Sequence, residues 1–413
     1  MSVSRDREMA RAVAEAVAKA GGRTYYVGGL VRDELLGRES KDVDIEVHGL
    51  TPEALEGILD GLGARTVMGA SFGVYGLKGC DLDIAMPRRE RATGRAHRDF
   101  AVDVDPFAGT EKAAMRRDFT MNALMKDALT GEIVDHFGGA RDLRDGVLRH
   151  VNDETFAEDP LRVLRAARFA ARFGFRVAGE TVALAKTMDL SALPRERVMG
   201  ELERALLRAD RPSAFFEQLR EMEQLGDWFP EVAALAGAWG RGMAALDAAA
   251  ALRDGAEYPL GLMLAALCGE FAGAEAAERF LGRLTGEVRL RRYVRNMMEL
   301  RDLPGLCAKR GAGREAMAKL YDRSAAPGDL ILLAKACGAG EDAERFLRRR
   351  LEEYGELMAR PHVMGADLVA AGMEPGVAMG EALKYAHELR LAGIDKERAL
   401  RRTLARARGT KEK

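Results

Sequence analysis

The order of apolar and polar residues divides the chain into two parts of different character. Through about the first 140 residues, short runs rich in β-branched and aromatic residues alternate with helical patterns. From about Phe156 onward, long segments rich in Ala, Leu, Arg and Glu dominate. The first pattern is typical of an α/β or α+β unit and the second of an all-helical remainder. The runs that predict strands are TYYVGG, DVDIEV, FGVYGLK, LDIAM and FAVDV, and the stretch after Thr51-Pro52 predicts a helix.

The run DVDIEV alternates an acid with a β-branched residue, which is the period of a half-buried strand. Because successive strand side chains point to opposite faces, the apolar residues can enter a core while Asp42, Asp44 and Glu46 share the other face. Carboxylates on one face repel each other, and a bound divalent cation is the simplest way to offset that repulsion. The run DLDIA has the same alternation, which makes Asp83 a candidate third acid; an ordinary exposed strand face is the alternative.

A glycine doublet, Gly28-Gly29, stands between the predicted strand TYYV and a predicted helix from Leu30 to Leu36. Glycines at such a junction let the backbone come close to a ligand, and a helix N-terminus favours anions such as a triphosphate. With Asp42 and Asp44 close by in sequence, we expect two Mg²⁺ ions that activate a 3′-hydroxyl and neutralise a leaving pyrophosphate. The alternative for the acids alone is a surface strand with a solvated acidic face.

Composition narrows the class of protein. The 413 residues suffice for several domains, and the net charge of -1 gives no overall field that would attract a polyanion. The four cysteines are scattered, without the spacing of a zinc site or a disulfide framework. The first 22 residues predict an amphipathic helix rather than a signal peptide, and no run of about 20 apolar residues predicts a membrane span. We therefore expect a cytoplasmic protein.

A second motif, MRRDFTMNAL, places two arginines before an acid. The planar fork of arginine matches phosphate oxygens, and a carboxylate can accept a hydrogen bond from a ribose hydroxyl. Arg116, Arg117 and Asp118 therefore suit contacts to a nucleotide. In isolation, such a triplet is usually a solvated charged turn.

A third motif, EDPLRVLRAARF, begins a predicted helix with Pro160 as its first residue and Asp159 as its cap. Asp159 and Arg162 are three residues apart, so an acceptor and a donor can lie side by side. Together they can pair with the Watson–Crick edge of cytosine or adenine, whereas uracil and guanine present groups of the wrong sense. Glu158, four residues before Arg162, can hold its guanidinium. The alternative is a capped helix with an internal ion pair.

Arginines continue along this segment at spacings of three and four. On a helix they fall within an arc of roughly 120°. Such a stripe is either a solvated basic face or a surface for an RNA backbone, and the pattern favours neither. Its members are Arg162, Arg165, Arg168, Arg172 and Arg176.

The three motifs, in this order and with their internal spacings, resemble the class II tRNA nucleotidyltransferase / poly(A) polymerase family. The similarity covers roughly residues 23–235, including RVMGELERALL, and a weaker similarity returns at MGADLVAAGMEPGVAMGEALKYAHELRLAGIDKERAL. The resemblance implies an α+β fold: a polymerase-β-like head of mixed sheet and helices, then a helical neck, body and tail. The implied boundaries are a head over 1–150, a neck over 151–210, a body over 211–340 and a tRNA-binding tail over 341–413.

The resemblance also implies a reaction, the template-free addition of C, C and A to a tRNA 3′ end from CTP and ATP. Asp42 and Asp44 would be the catalytic ligands of two Mg²⁺ ions. Asp159 and Arg162 would form the protein template for the base, with Glu158 positioning the arginine. The implied nucleotide-binding residues are Gly28, Gly29, Arg32, Arg116, Arg117, Asp118, Asn122, Glu158, Asp159, Arg162, Arg165 and Arg168.

Several alternatives stay open within and outside the family. Some members add only adenosines, a poly(A) tail or part of CCA; MGASFGVYGLK and the loop-like ERATGRAHRDFAVDVDP, which contains His97, favour the full activity. The segment after PEVAAL holds no histidine where some relatives carry an HD phosphohydrolase domain, so we expect no phosphatase activity. Other classes are a catalytically inert RNA-binding protein and a nucleotide-sensing regulator. Neither a membrane nor a stable protein partner is implied.

Overall fold

The computed structural model describes residues 3–40, 42–67, 74–92 and 100–409. Its contacts divide the chain into two compact units. The first consists of Met1–Ala205 and Ala214–Trp228, and the second of Leu206–Ser213 and Phe229–Lys413. The first unit therefore holds both the expected head and most of the expected neck, while the domain boundaries at 150, 210 and 340 stay predictions.

A mixed sheet forms the centre of the first unit. The strands are β1 (Arg23–Val27), β2 (Val43–His48), β3 (Arg65–Val67), β4 (Val74–Leu77), β5 (Leu82–Ala85), β6 (Arg88–Ala92), β7 (Phe100–Val104), β8 (Met125–Asp127), β9 (Ile133–Val134), β10 (Val147–Leu148) and β11 (Arg176–Val177). Seven of them form one sheet in the order β3-β4-β5-β2-β1-β8-β9, in which only β2 and β5 are parallel neighbours. Strands β6 and β7 form an antiparallel ribbon. Each of the five predicted runs coincides with a strand, which confirms the α+β head.

The acidic strand β2 lies in the middle of this sheet because one of its faces is apolar. Val43, Ile45 and Val47 are buried in one core with helices α1 (Val3–Lys19) and α3 (Pro52–Leu62). The alternation predicted from the sequence is thus confirmed: the β-branched residues enter the core, and Asp44 and Glu46 point to the opposite face.

Local chemistry accounts for two helix starts. The Thr51 side chain accepts a hydrogen bond from the backbone N–H of Ala54, and Pro52 occupies the first turn of α3, as the sequence predicts. Helix α7 (Leu161–Phe173) begins one residue later than predicted. The Asp159 carboxylate accepts from the backbone N–H of Leu161 at 3.1 Å and so satisfies one of the free donors at that end.

Helices of 5 to 14 residues join these elements. The remaining helices up to residue 221 are α2 (Gly29–Leu35), α4 (Gly109–Met115), α5 (Gly139–Arg144), α6 (Asp153–Ala157), α8 (Gly179–Lys186), α9 (Arg195–Arg208) and α10 (Ser213–Glu221). One feature differs from the expectation of an all-helical part after residue 156: β11 pairs in parallel with β10. A run of two residues is too short to show the alternation of a strand, so the sequence pattern does not predict β11.

The second unit is helical throughout its described residues. Its helices beyond residue 229 are α11 (Pro230–Ala233), α12 (Trp239–Ala250), α13 (Pro259–Cys268), α14 (Ala274–Leu284), α15 (Val288–Leu300), α16 (Leu303–Arg310), α17 (Arg314–Arg323), α18 (Pro327–Ala336), α19 (Glu341–Ala359), α20 (Gly365–Ala370), α21 (Val377–Leu391) and α22 (Lys396–Ala407). None of the helices among the described residues has the length and apolar content needed to cross a membrane. Residues 68–73 of MGASFGVYGLK and 93–99 of ERATGRAHRDFAVDVDP, with His97, lie outside the described residues.

The burial of β2 predicts the stability of the head. Ile45 is fully buried, so Ile45→Ala should lower the free energy of unfolding by about 2–5 kcal/mol through lost burial and the cavity left behind. The matched change at Ile133, an exposed isoleucine of edge strand β9, should shift it by less than about 0.5 kcal/mol. Urea unfolding of both variants measures the difference. Equal effects would mean that Ile45 is not a core residue.

Candidate active site

A cavity of about 630 Å³ opens on the face of the sheet that carries the acids. Its walls come from β2 and β5, the turn between β1 and α2, the residues after α4, and helices α7 and α9. This volume is typical of small-molecule sites. The charged residues in its lining are Arg32, Asp44, Glu46, Asp83, Arg88, Arg116, Arg117, Asp118, Asp159, Arg162, Arg165 and Arg197.

The sheet contributes a pair of neighbouring carboxylates. Asp44 of β2 and Asp83 of β5 are directly paired positions of the two parallel strands, and both line the cavity. Asp42 is exposed, precedes β2 by one residue, and lies outside the lining. Burial, followed by the charges of Asp83 and Asp42, raises the pKa of Asp44 to about 6, and Arg117 opposes this only in part. The acid face therefore carries negative charge that its neighbours do not fully neutralise.

These carboxylates are the groups that can hold a divalent cation. In the part of the chain that the structure describes, no group of three or more His, Cys, Asp or Glu side chains forms a complete metal site. Magnesium does not require one, because it is usually held by one or two carboxylates together with phosphate oxygens and water. The raised pKa of Asp44 fits the same ion, since a cation beside the carboxylate would favour its ionised form.

The glycine doublet forms the turn that borders the cavity. Gly28 has a φ of +64°, a left-handed conformation that side chains rarely adopt. A Cβ at Gly28 would lie 3.1 Å from Nη1 of Arg117, and one at Gly29 would lie 3.5 Å from Nη2 of Arg32. The turn thus leaves room for two arginines at the cavity wall.

A buried network connects the first two motifs. Arg32 donates to Asn122 Oδ1 at 2.8 Å and to Asp33 Oδ1 at 2.8 Å. Its guanidinium also lies 4.9 Å from the centre of the Phe173 ring. The Asn122 amide donates to Asp118 Oδ1 at 2.9 Å. Arg32 and Asn122 are therefore largely engaged with protein groups, although both border the cavity.

Asp118 joins this network to helix α7. Its Oδ2 accepts from Nε of Arg165 at 2.7 Å, and its Oδ1 also accepts from the backbone N–H of Phe119. Burial alone would raise the pKa of Asp118, but Arg165 and the Asn122 amide outweigh it and lower the pKa. The Asp118 carboxylate is therefore held in its ionised form, and it binds Arg165.

The two predicted base-reading residues border the same cavity. The Arg162 guanidinium donates to the backbone carbonyls of Thr155 and Arg116, the latter at 3.0 Å. Asp159 accepts from Nη2 of Arg197 at 2.9 Å and from Nη1 of the same side chain at 3.4 Å. Glu158 is exposed and acts on Arg162 through its charge. The structure therefore places Asp159 and Arg162 at the same cavity. Asp159 is held there by the Arg197 side chain, and Arg162 is held by backbone carbonyls.

The arginine stripe is not a uniform solvated face. Arg162 and Arg165 line the cavity, whereas Arg168 is buried, pairs with Glu201 of α9 and lies outside the lining. Burial lowers the pKa of Arg168 to about 10 although Glu201 opposes it. Arg176 falls beyond the helix, in β11.

Sequence reasoning assigned no role to three charged residues of the lining, which are Arg88, Arg197 and Glu46. Arg197 belongs to RVMGELERALL, which contributed to the family resemblance but has no period or pairing that indicates a site. Glu46 was expected on the acidic face, but its partners, His48 and Arg117, could not be inferred. Arg197 and Arg117 lie 38 and 71 residues from their acidic partners, and a local pattern carries no information over such separations.

Comparisons with known proteins indicate the family of this chain. Residues 24–149 match the family model described as the Poly A polymerase head domain. A Multifunctional CCA protein of Stenotrophomonas maltophilia is 46% identical over 222 residues, which cover 52% of this chain and 53% of that protein. The chain thus spans about half the length of this relative. A Multifunctional CCA protein of Cupriavidus taiwanensis is 36% identical over 394 residues, 86% of this chain and 91% of that protein.

A solved structure gives the same fold. The structure of a CCA-adding enzyme with ATP has a TM-score of 0.76 against this chain, covering 98% of it and 94% of the other chain. The two sequences are 23% identical, so this likeness concerns the fold. It confirms the expected sheet-containing head followed by a helical remainder.

The pKa of Asp44 predicts a pH-dependent stability. The pKa is higher in the folded protein than in the unfolded chain, so ionisation of Asp44 costs stability as the pH rises from about 4 to about 6. In EDTA, Asp44→Asn should therefore raise the free energy of unfolding by up to about 3 kcal/mol above pH 6, with no gain below pH 4. Denaturant unfolding across this range measures the gain. The exposed Asp227→Asn should give none; a pH-independent gain at Asp44 would contradict the explanation.

Proposed function

This chain belongs to the family of the multifunctional CCA proteins, and on that premise we propose that it adds C, C and A to the 3′ end of tRNA. CTP and ATP supply the nucleotides, and each step releases pyrophosphate. The observation that carries the proposal is the meeting of the acids of β2 and β5 with Asp159 and Arg162 in one cavity. A reactive centre and a base-reading pair within one nucleotide-sized space are what addition without a template requires.

The acidic face serves the reacting end of the nucleotide. Asp42 and Asp44 would hold two Mg²⁺ ions, and Asp83, paired with Asp44 across the parallel strands, would be a further ligand. Such ions would lower the pKa of the attacking 3′-hydroxyl and stabilise charge on the pyrophosphate. A location in the cytoplasm, where tRNA is processed in bacteria, belongs to the same proposal.

The arginines of the second motif serve the triphosphate. Arg116 and Arg117 follow α4 at the cavity wall, next to the glycine turn, and their forks suit phosphate oxygens. Asp118 acts through Arg165, which it holds toward the cavity. Arg32 and Asn122 stabilise this wall from behind.

Asp159 and Arg162 serve the base. Asp159 accepts from the amino group of cytosine or adenine, and Arg162 donates to the neighbouring ring nitrogen. Asp159, which accepts from Arg197, can as a carboxylate only accept hydrogen bonds from a base. A uracil or guanine would then place a carbonyl against a carboxylate, which leaves both groups without a partner.

The first test is incorporation of labelled CTP and ATP into tRNAs that lack all, two or one of the terminal nucleotides. The wild type should add what each tRNA lacks and stop after A, in the presence of Mg²⁺. Asp44→Ala and Asp42→Ala should lower the rate by at least about 100-fold while tRNA affinity is nearly unchanged.

The same assay separates the alternatives. Long adenosine tails, or addition of A without use of CTP, would assign the chain to an A-adding or poly(A)-adding activity. Binding of tRNA with no incorporation would indicate an inert RNA-binding protein.

Base choice gives a separate prediction. Asp159→Ala and Arg162→Ala should reduce discrimination against UTP and GTP by about 1–3 kcal/mol, roughly 5- to 150-fold, because each removes one side of the base contact. The change should exceed the loss of triphosphate affinity, measured as KM for CTP. As a control, Arg195→Ala removes an exposed arginine of α9 that pairs with its neighbour Glu196, and it should leave base choice unchanged. Continued exclusion of UTP and GTP in both site variants would show that the base is selected elsewhere.

A further inference from the structure

Glu46 is the second acid of β2, two residues after Asp44, yet its surroundings differ from those of Asp44. Its carboxylate is buried, with a relative exposure of 8%, although it contributes to the cavity wall. Oε1 lies 2.8 Å from Nε2 of His48, and Oε2 accepts from Nη2 of Arg117 at 3.2 Å. Both oxygens are thus occupied by protein groups, whereas Asp44 faces the like charges of Asp83 and Asp42.

The arginine that Glu46 holds has few other anchors. Nε of Arg117 is buried and has no hydrogen-bond partner among the described residues. Nη1 faces the glycine turn, where a Cβ at Gly28 would lie 3.1 Å away. Glu46 therefore provides the charged contact that fixes the direction of this guanidinium, and Gly28 provides the space for it.

Strand geometry makes this arrangement specific. Glu46 is two residues after Asp44, so both side chains leave the same face of β2 about 7 Å apart along the strand. One position can thus serve a cation and the other can hold an arginine beside it. His48 braces the far side of Glu46, and its ring packs edge-on against Tyr25 of β1 at 5.3 Å.

We infer that Glu46 is a positioning residue, which orients Arg117 toward the triphosphate and is not a ligand of the metal ions. The inference rests on the proposed function and deepens it. Its consequence is that Glu46 affects nucleotide binding only through Arg117. Removing Glu46 should therefore have no further effect once Arg117 is gone.

A double-mutant cycle tests this dependence. Glu46→Ala and Arg117→Ala are made singly and together, and KM and kcat are measured for CTP on a tRNA that lacks CCA. The loss of one charge-assisted hydrogen bond predicts a KM for CTP raised roughly tenfold in Glu46→Ala, with a smaller change in kcat. In the Arg117→Ala background, the same substitution should change KM by less than about twofold.

Further variants keep the test decisive if Glu46→Ala folds poorly. Glu46→Gln keeps the size and an acceptor for Arg117, so it should fold and show an intermediate rise in KM. Glu34→Gln is the matched control: Glu34 is a paired glutamate of the same unit, bonded to Arg7 and Lys126, and lies outside the cavity lining. It should leave KM unchanged.

Two results would overturn the inference. One is additive effects of the Glu46 and Arg117 substitutions, which would mean that Glu46 acts on the nucleotide independently. The other is a Glu46→Gln variant whose requirement for Mg²⁺ rises while its KM for CTP stays constant, as expected of a metal ligand. Direct titration of wild type with CTP distinguishes these from a failure of the proposed function, because a wild type that neither binds nor incorporates CTP refutes both.

Discussion

The carboxylates that share one face of the central sheet repel each other, and the structure of the head depends on offsetting that repulsion. Burial, and then the charges of Asp83 beside it and Asp42 close by, disfavour the ionised form of Asp44, as its raised pKa indicates. Strands with such a face are tolerated only if the opposite face contributes enough burial. Here Val43, Ile45 and Val47 are buried in one core with residues of two helices and of neighbouring strands, so the apolar half of the strand holds the acidic half in place.

Arginines around the cavity are held in a different way, each by a carboxylate or a carbonyl of the protein. Arg165 is bound to Asp118 and Arg197 to Asp159, while Arg162 is bound to backbone oxygens. Such contacts fix long side chains that would otherwise lose considerable rotamer entropy on binding a ligand. Under the proposed function, a cavity built this way is already arranged for phosphate and base before a nucleotide enters.

Much of this could be predicted from sequence because its signals are local. The alternation in DVDIEV predicts the strand, its core face and its acidic face. The EDPLR segment predicts the helix start to within one residue. The pairing of Asp44 with Asp83 could not be derived, because register between parallel strands depends on the connection that joins them. The partners of Arg162 could not be derived either. The expected partner was the carboxylate of Glu158, four residues earlier, but the guanidinium donates instead to backbone carbonyls of two other segments.

Backbone carbonyls, in place of a glutamate, as the partners of Arg162 affect how a protein can act as a template. A glutamate can change its rotamer, whereas the carbonyls of Thr155 and Arg116 are fixed by the main chain, so they limit the directions in which the Arg162 fork can point. The planar arginine guanidinium has five donors in fixed directions, so it can satisfy two carbonyls and still present an N–H to a base in a defined orientation. Under the proposed function, the selectivity for C and A then follows from main-chain geometry as much as from the side chain. Because Arg116 belongs to the motif that we propose to bind the triphosphate, its carbonyl would also couple the proposed base-reading residue to the residues proposed to hold the phosphates.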